Sequence, residues 1–331
     1  MTHPIPSGTR DVLPDEMREM RAITEALRAV FERHGYGEVY TPALEYDAVL
    51  ARADRSAVPT TPPPAYRLLD ESGALLVLRS DMTVPIARVA ATRYAHSEPP
   101  LRFCYFAHCY RGVRPQRGQP RELLQAGIEL LGSPAPEGTA EALTVLCHAL
   151  DATGLADYRV GLGDASLFPA LAAGVGVPEA ARGALLESLA SRDFVELERR
   201  LGESGLPAPQ AELLLSVPQR RGGPEVLSGL TGAAADAVAG LRMVHELLEP
   251  AVAARVIFDL GLVRSLGYYT GAVFEVYDPA LGAPLGGGGR YDELLGRFGR
   301  ALPAVGWALG LDRLHIALAG EERGRGAGLT R

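Results

Sequence analysis

The chain has 331 residues, a formal net charge of −7 and 47% hydrophobic residues, which is typical of a globular protein with a large core. No uncharged apolar run approaches about 18 residues, and the N-terminus has no apolar signal segment, so we expect neither a membrane span nor secretion. The acidic balance gives no general attraction for nucleic acid. All 33 basic residues are arginine, which excludes Schiff-base and lysine-base mechanisms.

The sequence has no recognisable metal or nucleophile motif. Cys104, Cys109 and Cys147 are odd in number and lack metal-ligand spacing, which favours reduced thiols in a cytoplasmic protein. The seven histidines are scattered, so no Ser/His/Asp or Cys/His set can be argued. We therefore expect no catalytic nucleophile of these kinds, no metal and no cofactor.

The N-terminal part alternates helices with short strands. Asp15 can cap a helix that runs to about His34, and Ser80 or Asp81 can cap another that runs to about Tyr94. The predicted strands between these helices are Val39–Thr41 and a hairpin of Arg67–Leu69 with Leu75–Leu78.

Two apolar runs, Phe103–Tyr110 and Leu123–Leu131, flank a loop, Arg111–Arg121, that contains four arginines. Two buried strands joined by such a loop can hold a polyanion such as a nucleotide phosphate, although a solvated basic hairpin loop explains the pattern equally well. On the second strand Gln125 and Glu129 share one face, and a cationic ligand would satisfy such a buried glutamate.

The second half begins with a predicted helix, Glu137–Ala152, and a strand, Tyr158–Leu162. Residues 165–250 are rich in alanine and leucine and predict an inserted helical unit. This divides the chain into a first core part (1–164), the insertion, a second core part (251–320) and a tail (321–331). The second core part contains the predicted strands Arg255–Leu260 and Ala272–Tyr277 and a helix near Gly306–Ala319. Strands in runs, with helices collected elsewhere, favour an α+β fold with a mainly antiparallel sheet.

Three further stretches could bind a ligand. Gly286–Gly289 precedes Arg290, which suits either close approach to an anion or a flexible loop. Leu262–Glu275 combines an arginine, two tyrosines and a glutamate, a set that suits a small polar ligand or ordinary sheet packing. Asp81 with Thr83 could bind an amine, although helix capping explains Asp81 as well.

Together these stretches resemble the catalytic core of class II histidyl-tRNA synthetases. The resemblance spans nearly the whole chain, with the motifs in the family's order. The segments that carry it are Gly8–Pro14 with Tyr36–Glu45, Tyr110–Gly132, Leu262–Glu275, Gly286–Leu295 and Ala304–Leu314. It implies the synthetase-like fold, an antiparallel sheet flanked by helices with a helical insertion, and a dimer formed through the first motif.

The resemblance also implies roles for individual residues. The implied histidine pocket consists of Asp81, Thr83, Gln125, Glu129, Tyr268, Tyr269 and Tyr291, with Arg264 at the position of an arginine that the synthetases use during adenylate formation. Arg111 and Arg313 match the two phosphate-binding arginines of the family. Arg121 and Arg290 complete the candidates for anion binding.

The departures from the synthetase pattern change the expected function. A glutamate that the synthetases use on ATP is Val113 here, and an aspartate of their tyrosine signature is Gly267. Only 13 residues, 319–331, follow Leu318, so we expect no anticodon-binding domain and no tRNA as partner. The chain is thus closer to the regulatory subunits of short-form ATP phosphoribosyltransferase, which act in the first step of histidine biosynthesis.

That resemblance implies a non-catalytic protein that activates a separate catalytic subunit, binds histidine as a feedback signal and assembles as a hetero-octamer around its own dimers. Two alternatives stay open at this point. One is a truncated synthetase-like enzyme that activates histidine or a related amine with ATP. The other is an orphan structural dimer with an unused pocket.

Overall fold

A computed structural model of the chain describes residues 4–53, 65–113, 120–263 and 267–328. Its strands are β1 (Gly37–Glu38), β2 (Leu44–Tyr46), β3 (Arg67–Leu69), β4 (Leu75–Leu78), β5 (Leu101–Tyr110), β6 (Glu122–Leu131), β7 (Arg159–Asp164), β8 (Arg221–Gly222), β9 (Val256–Asp259), β10 (Ala272–Tyr277), β11 (Gly286–Arg290) and β12 (Ala304–Gly310). Its α-helices are α1 (Pro14–Arg33), α2 (Asp47–Ala53), α3 (Thr83–Thr92), α4 (Glu137–Ala152), α5 (Leu167–Gly174), α6 (Glu179–Ala190), α7 (Phe194–Glu203), α8 (Ala208–Ser216), α9 (Ala235–Glu246), α10 (Pro250–Ala253) and α11 (Leu311–Gly328).

Nine of these strands form one sheet, in the order β1-β5-β6-β12-β11-β10-β7-β9-β8. The pairs β1/β5 and β7/β9 are parallel, and the other pairs are antiparallel. A separate small sheet has the order β2-β4-β3. The predicted α+β fold with a mainly antiparallel sheet is therefore confirmed.

Two buried clusters hold the fold together. One packs α1 and α4 against β6 and β12, and includes Phe31, Leu146, Ile128 and Trp307. The other contains side chains of α3, β5 and the segment after β11, among them Phe103. Burial of each large apolar side chain contributes roughly 1.5–3 kcal/mol relative to exposure, so these clusters provide the main stabilisation of the fold.

Helix α1 shows how the sequence pattern becomes structure. Its predicted apolar face is buried, including Leu27 and Phe31. The predicted Asp15 cap is wrong, because Leu13 occupies the cap position and Pro14 begins the helix. Proline suits this position, since the first helical N–H has no partner within the helix and proline has none to leave unpaired. Asp15 instead pairs with Arg18 within the first turns.

Near the C-terminus, one alternative that the sequence left open and one prediction are wrong. Gly286–Gly289 is part of the central strand β11, not a loop, and Ala304–Gly310 is the strand β12, so the last helix starts only at Leu311. A Cβ atom at Gly288 would lie 1.9 Å from the carbonyl oxygen of Gly306 on β12. The glycine run thus lets two buried strands approach more closely than side chains would permit.

Residues 165–250 contain α5 to α9 together with the short strand β8, which pairs with β9 at the edge of the large sheet. Whether the chain divides into domains at 165 and 250 stays a prediction. Helix α11 continues to Gly328, into the stretch predicted as a tail. No helix among the described residues is long and apolar enough to cross a membrane.

All three cysteines are buried and unpaired. Burial raises the pKa of Cys104, Cys109 and Cys147 to about 12 in each case, because the thiolate loses its hydration inside the protein. These residues therefore behave as small apolar side chains in the core.

A pair of buried acids joins the end of β10 to α11. Asp278 is 3% exposed and Glu321 is 6% exposed, and within the described residues Asp278 Oδ2 is buried without a hydrogen-bond partner. Glu321 also accepts backbone N–H groups of Ala156 at 3.0 Å and Asp157 at 2.7 Å. Burial raises the pKa of Asp278, and the Glu321 carboxyl raises it further.

We predict that Asp278→Asn stabilises the protein near neutral pH. The pKa of Asp278 in the folded state lies above its ordinary value of 3.8, so ionisation costs stability as the pH rises above that value. Asparagine keeps the acceptor that binds the N–H of Ala280 at 2.8 Å and carries no charge. We expect a gain of about 1 kcal/mol, or a Tm rise of about 2 °C, at pH 7–8.

The gain should fade as the pH falls towards 4, which thermal unfolding at several pH values measures. Glu322→Gln is the control, since the neighbouring Glu322 is exposed and should have little effect. An Asp278→Asn protein that is less stable than the wild type at pH 8 would contradict the prediction.

Candidate functional site

A cavity of about 230 Å³ opens between β5, β6, β11 and β12 and the start of α3. Its walls contain most of the residues that the sequence analysis selected. These are Asp81, Thr83, Arg111, Gln125, Tyr268, Tyr269 and Arg313. Residues from positions 81 to 313 meet here because the order β5-β6-β12-β11-β10 brings distant parts of the chain into neighbouring strands.

Glu129 lies directly behind this wall and is 1% exposed. Thr83 Oγ1 donates a hydrogen bond to Glu129 Oε1 at 2.7 Å, and the hydroxyl of Tyr291 donates to Oε2. Burial raises the pKa of Glu129 to about 8, although the hydrogen bonds from Tyr291 and Thr83 oppose this rise. Glu129 is therefore protonated over much of the physiological range unless a cation approaches it.

Asp81 has two roles in this geometry. Met82 occupies the cap position of α3, so the predicted cap is one residue off, but Asp81 Oδ1 accepts the backbone N–H of Val84 at 3.1 Å in the first turn, and its side chain also lines the cavity. Burial raises the pKa of Asp81, whereas the Val84 N–H and the positive charge of Arg111 lower it. Asp81 and Glu129 together form the acidic pair of the site.

Aromatic hydroxyl groups surround the acidic pair. The ring centroid of Tyr268 lies 4.9 Å from that of Tyr269 and 5.7 Å from that of Tyr291. Burial raises the pKa of Tyr268 and Tyr291 well above the ordinary value, so both stay neutral donors and acceptors. This arrangement suits a flat polar ring or an ammonium group.

Arg111 and Arg313 form the arginine pair of the same cavity. Arg313 Nη1 donates to the carbonyl oxygen of Pro284 at 2.5 Å. Burial lowers the pKa of Arg313, and repulsion from Arg111 lowers it further. Within the described residues, Nε of Arg111 is buried without a hydrogen-bond partner. Two guanidinium groups that repel each other, one with an unused buried donor, are arranged to receive an anion.

Two glycines on the central strands make room for Glu129 and Tyr105. A Cβ atom at Gly306 would lie 1.8 Å from Glu129 Oε2, and one at Gly127 would lie 2.5 Å from the hydroxyl of Tyr105. Gly306 is opposite Glu129 in the pairing of β12 with β6, and Gly127 is opposite Tyr105 in the pairing of β5 with β6. The site therefore requires glycine at positions 127 and 306.

Of the described residues selected from the sequence, Glu129 and Tyr291 lie behind the cavity wall, and Arg290 and Arg121 do not line the cavity. Arg290 is 2% exposed and bonds Asp292 Oδ1 at 2.8 Å and the carbonyl oxygen of Ser133 at 3.0 Å, so it ties β11 to the segment before α4. Arg121 Nη1 donates to the carbonyl oxygen of Ser7 at 3.1 Å. We do not carry these two anion-binding candidates forward. Arg264 lies outside the described residues.

The cavity also includes residues that the sequence analysis did not select, namely Tyr105, Glu275 and Trp307. Tyr105 looked like part of an apolar strand, and only the register that places it opposite Gly127 reveals space for its hydroxyl. Glu275 ended a recognised stretch but had no predicted partner. Among the described residues, no group of three or more His, Cys, Asp or Glu side chains is arranged to hold a metal ion.

Comparison with known proteins identifies a family model and several similar proteins. The family model of histidyl-tRNA synthetase matches residues 8–314. ATP phosphoribosyltransferase regulatory subunits of Desulforamulus reducens and Symbiobacterium thermophilum are 41% and 43% identical, over 94% and 95% of this chain and 78% and 79% of their own lengths.

A crystal structure from Bacillus halodurans, described as an ATP phosphoribosyltransferase regulatory subunit/histidyl-tRNA synthetase, aligns with a TM-score of 0.87 and 33% identity. The alignment covers 96% of this chain and 84% of that structure. Sequence and structure comparisons thus lead to the same group of proteins.

We predict that Gly306→Ala strongly destabilises the protein. The new methyl group would overlap Glu129 Oε2 and would also lie 2.6 Å from the carbonyl oxygen of Ile128, so either the buried carboxyl group or the strand must move. We expect a loss of about 3 kcal/mol, measured by urea unfolding.

Gly240→Ala on α9 is the matched control. A Cβ atom there meets nothing within 4 Å, so alanine should raise stability by up to about 1 kcal/mol through its helix propensity. Equal stability of Gly306→Ala and the wild type would show that the acidic pair does not depend on this glycine.

Proposed function

Because this chain belongs to the ATP phosphoribosyltransferase regulatory subunits, which are built on the histidyl-tRNA synthetase fold, we propose that its cavity senses histidine for a separate catalytic subunit. The regulatory function is the one that its relatives carry in their names. In that function the chain supports the first step of histidine biosynthesis and itself carries no catalytic site. The partner is the catalytic subunit of ATP phosphoribosyltransferase.

The observation that carries the histidine proposal is that acidic groups and the arginine pair meet at one small cavity. The acidic pair can accept N–H groups from an imidazole ring and an ammonium group, and the tyrosine rings can pack against the imidazole. The arginine pair can bind the carboxylate. A free amino acid with a basic planar side chain satisfies all three parts of the cavity at once.

A synthetase-like reaction is less well supported by the same geometry. Val113 stands at the position where the synthetases place a glutamate that acts on ATP, and its backbone carbonyl only accepts a hydrogen bond from Arg121 at 3.3 Å. The retained arginine pair keeps histidine activation with ATP as the competing outcome of the test below. We propose that the chain uses no cofactor and no tRNA.

For assembly, we propose a homodimer formed through the first motif and a hetero-octamer with the catalytic subunit. Apolar side chains are exposed at and beside that motif, including Tyr40 at 82% and Leu69 at 73%. Leu44 and Tyr46 on β2 are also exposed. Exposed apolar side chains on one small sheet are typical of a surface that is covered in an oligomer.

The direct test is the phosphoribosyltransferase activity of the cognate catalytic subunit, with and without this protein, while histidine is titrated. We expect activity to appear on mixing and to fall as histidine is added, because the ligand must favour one assembly state over another. No change on mixing, together with histidine-dependent exchange of pyrophosphate into ATP by the purified chain, would instead establish the enzyme alternative.

A second prediction concerns pH. With the pKa of Glu129 at about 8, the free protein must release a proton before the carboxylate can accept an N–H group of histidine. Histidine binding should therefore strengthen by up to about tenfold per pH unit between pH 6 and 8, and binding should release a proton. Calorimetry in buffers of different ionisation enthalpy measures both quantities.

Glu129→Gln should remove this proton release and weaken histidine binding by about 10–100-fold at pH 8, which corresponds to loss of a hydrogen bond to a charged group. Activation on mixing should persist. Glu122→Gln, at the exposed start of the same strand, is the matched control. The role assigned to Glu129 is wrong if its glutamine variant keeps both the affinity and the pH dependence of the wild type.

A further inference from the structure

Arg192 has an unusual backbone conformation. It lies between α6 and α7 with φ of 56°, whereas every other described residue with positive φ is a glycine. Its N–H bonds the carbonyl oxygen of Leu189 at 3.0 Å, and the next N–H, of Asp193, bonds Ser188 at 2.9 Å, which is the usual way to end a helix on a left-handed residue. Glycine is favoured at such positions because a side chain strains them.

The side chain of Arg192 makes a contact that glycine could not make. Its Nη2 donates to the hydroxyl of Tyr277 at 2.9 Å, and that hydroxyl donates to Glu275 Oε2 at 2.7 Å. Nη2 of Arg192 also lies 3.8 Å from the same carboxylate oxygen. Arg192 and Tyr277 are 85 residues apart in sequence, so this contact joins the helical segment to the strand β10 of the large sheet.

Glu275 lies in the wall of the cavity that contains the arginine pair. Its negative charge raises the pKa of Arg313 against the effect of burial, and both side chains line the same cavity, so the position of the carboxylate decides how strongly it competes with an anionic ligand for the Arg313 guanidinium. Tyr277 and Arg192 fix one oxygen of that carboxylate. The ring of Tyr277 is itself held, since it packs over Gly161 at a distance that leaves no room for a side chain without a shift.

We propose that Arg192 is a positioning residue of the ligand cavity: through Tyr277 it fixes Glu275 beside Arg313, and so links the helical segment to occupancy of the cavity. This inference rests on the histidine site proposed above. The strained backbone of Arg192 is retained because its side chain supplies the contact. Ligand binding that shifts Glu275 would then change the contact of the helix pair α6 and α7 with the sheet.

Arg192→Gly tests this inference because it separates folding from positioning. Glycine relaxes the backbone at φ of 56°, so thermal stability should be unchanged or higher, whereas the contact with Tyr277 is lost. We expect L-histidine binding, measured by calorimetry on the full chain, to weaken by about fivefold or more. Histidine should slow amide exchange in α6 and α7 of the wild type but not of Arg192→Gly.

Three further variants complete the design. Arg192→Lys should restore part of the affinity, since an ammonium group can still donate to Tyr277. Tyr277→Phe should weaken histidine binding, and the double variant with Arg192→Gly should be no weaker than the single ones, because both remove the same contact. Gly176→Arg, at a left-handed position after α5 where a Cβ meets nothing within 4 Å, should lower stability and leave histidine binding intact.

The outcomes separate this inference from the proposed function. If the wild type binds histidine and Arg192→Gly binds it equally well, Arg192 is only structural and the inference is overturned while the histidine site stands. Lower thermal stability with unchanged affinity leads to the same conclusion. If the wild type does not bind histidine, the proposed ligand is wrong and the inference falls with it.

Discussion

The site depends on one steric constraint, which is the space that glycines leave on neighbouring central strands because they carry no side chain. Glu129 occupies the volume that a side chain at 306 would fill, and Tyr105 does the same opposite Gly127. A buried carboxyl group needs hydrogen-bond donors close to it, which Thr83 and Tyr291 provide, and Gly306 leaves room for this carboxyl group between the strands. Backbone packing and ligand chemistry are therefore set by the same residues.

The charges of the cavity are balanced locally, and each group limits the others. Asp81 is stabilised by a helix N–H and by Arg111, and Arg313 is opposed by Arg111 and supported by Glu275. In such a network a ligand that carries both charges disturbs the balance least, because it offers a partner to each side. A ligand of one sign would leave like charges facing each other in a region of low dielectric.

Much of this could be predicted from the sequence, and the failures have physical reasons. The strands β3 to β7, β9 and β10, the apolar face of α1 and the cavity residues Asp81, Thr83, Gln125 and Arg111 follow from local periodicity together with family resemblance, whereas the strand predicted at Val39–Thr41 is wrong, because β1 is Gly37–Glu38. The structural contacts of Arg290 could not be predicted, because its partners Ser133 and Asp292 are brought together only by the fold. The strand β11 could not be predicted, because four consecutive glycines are typical of a loop unless their close contact with β12 is known. Glu275 and Tyr105 needed the register of the sheet.

The buried cysteines make the chain convenient for spectroscopy. Thiolates react with maleimides and other electrophiles, and burial both shields Cys104, Cys109 and Cys147 and keeps them protonated at neutral pH. A cysteine introduced on the exposed side of α7 would then be the reactive thiol under native conditions, with no need to remove the natural ones. A fluorophore at that position can report on the surroundings of α7 in real time while histidine is added.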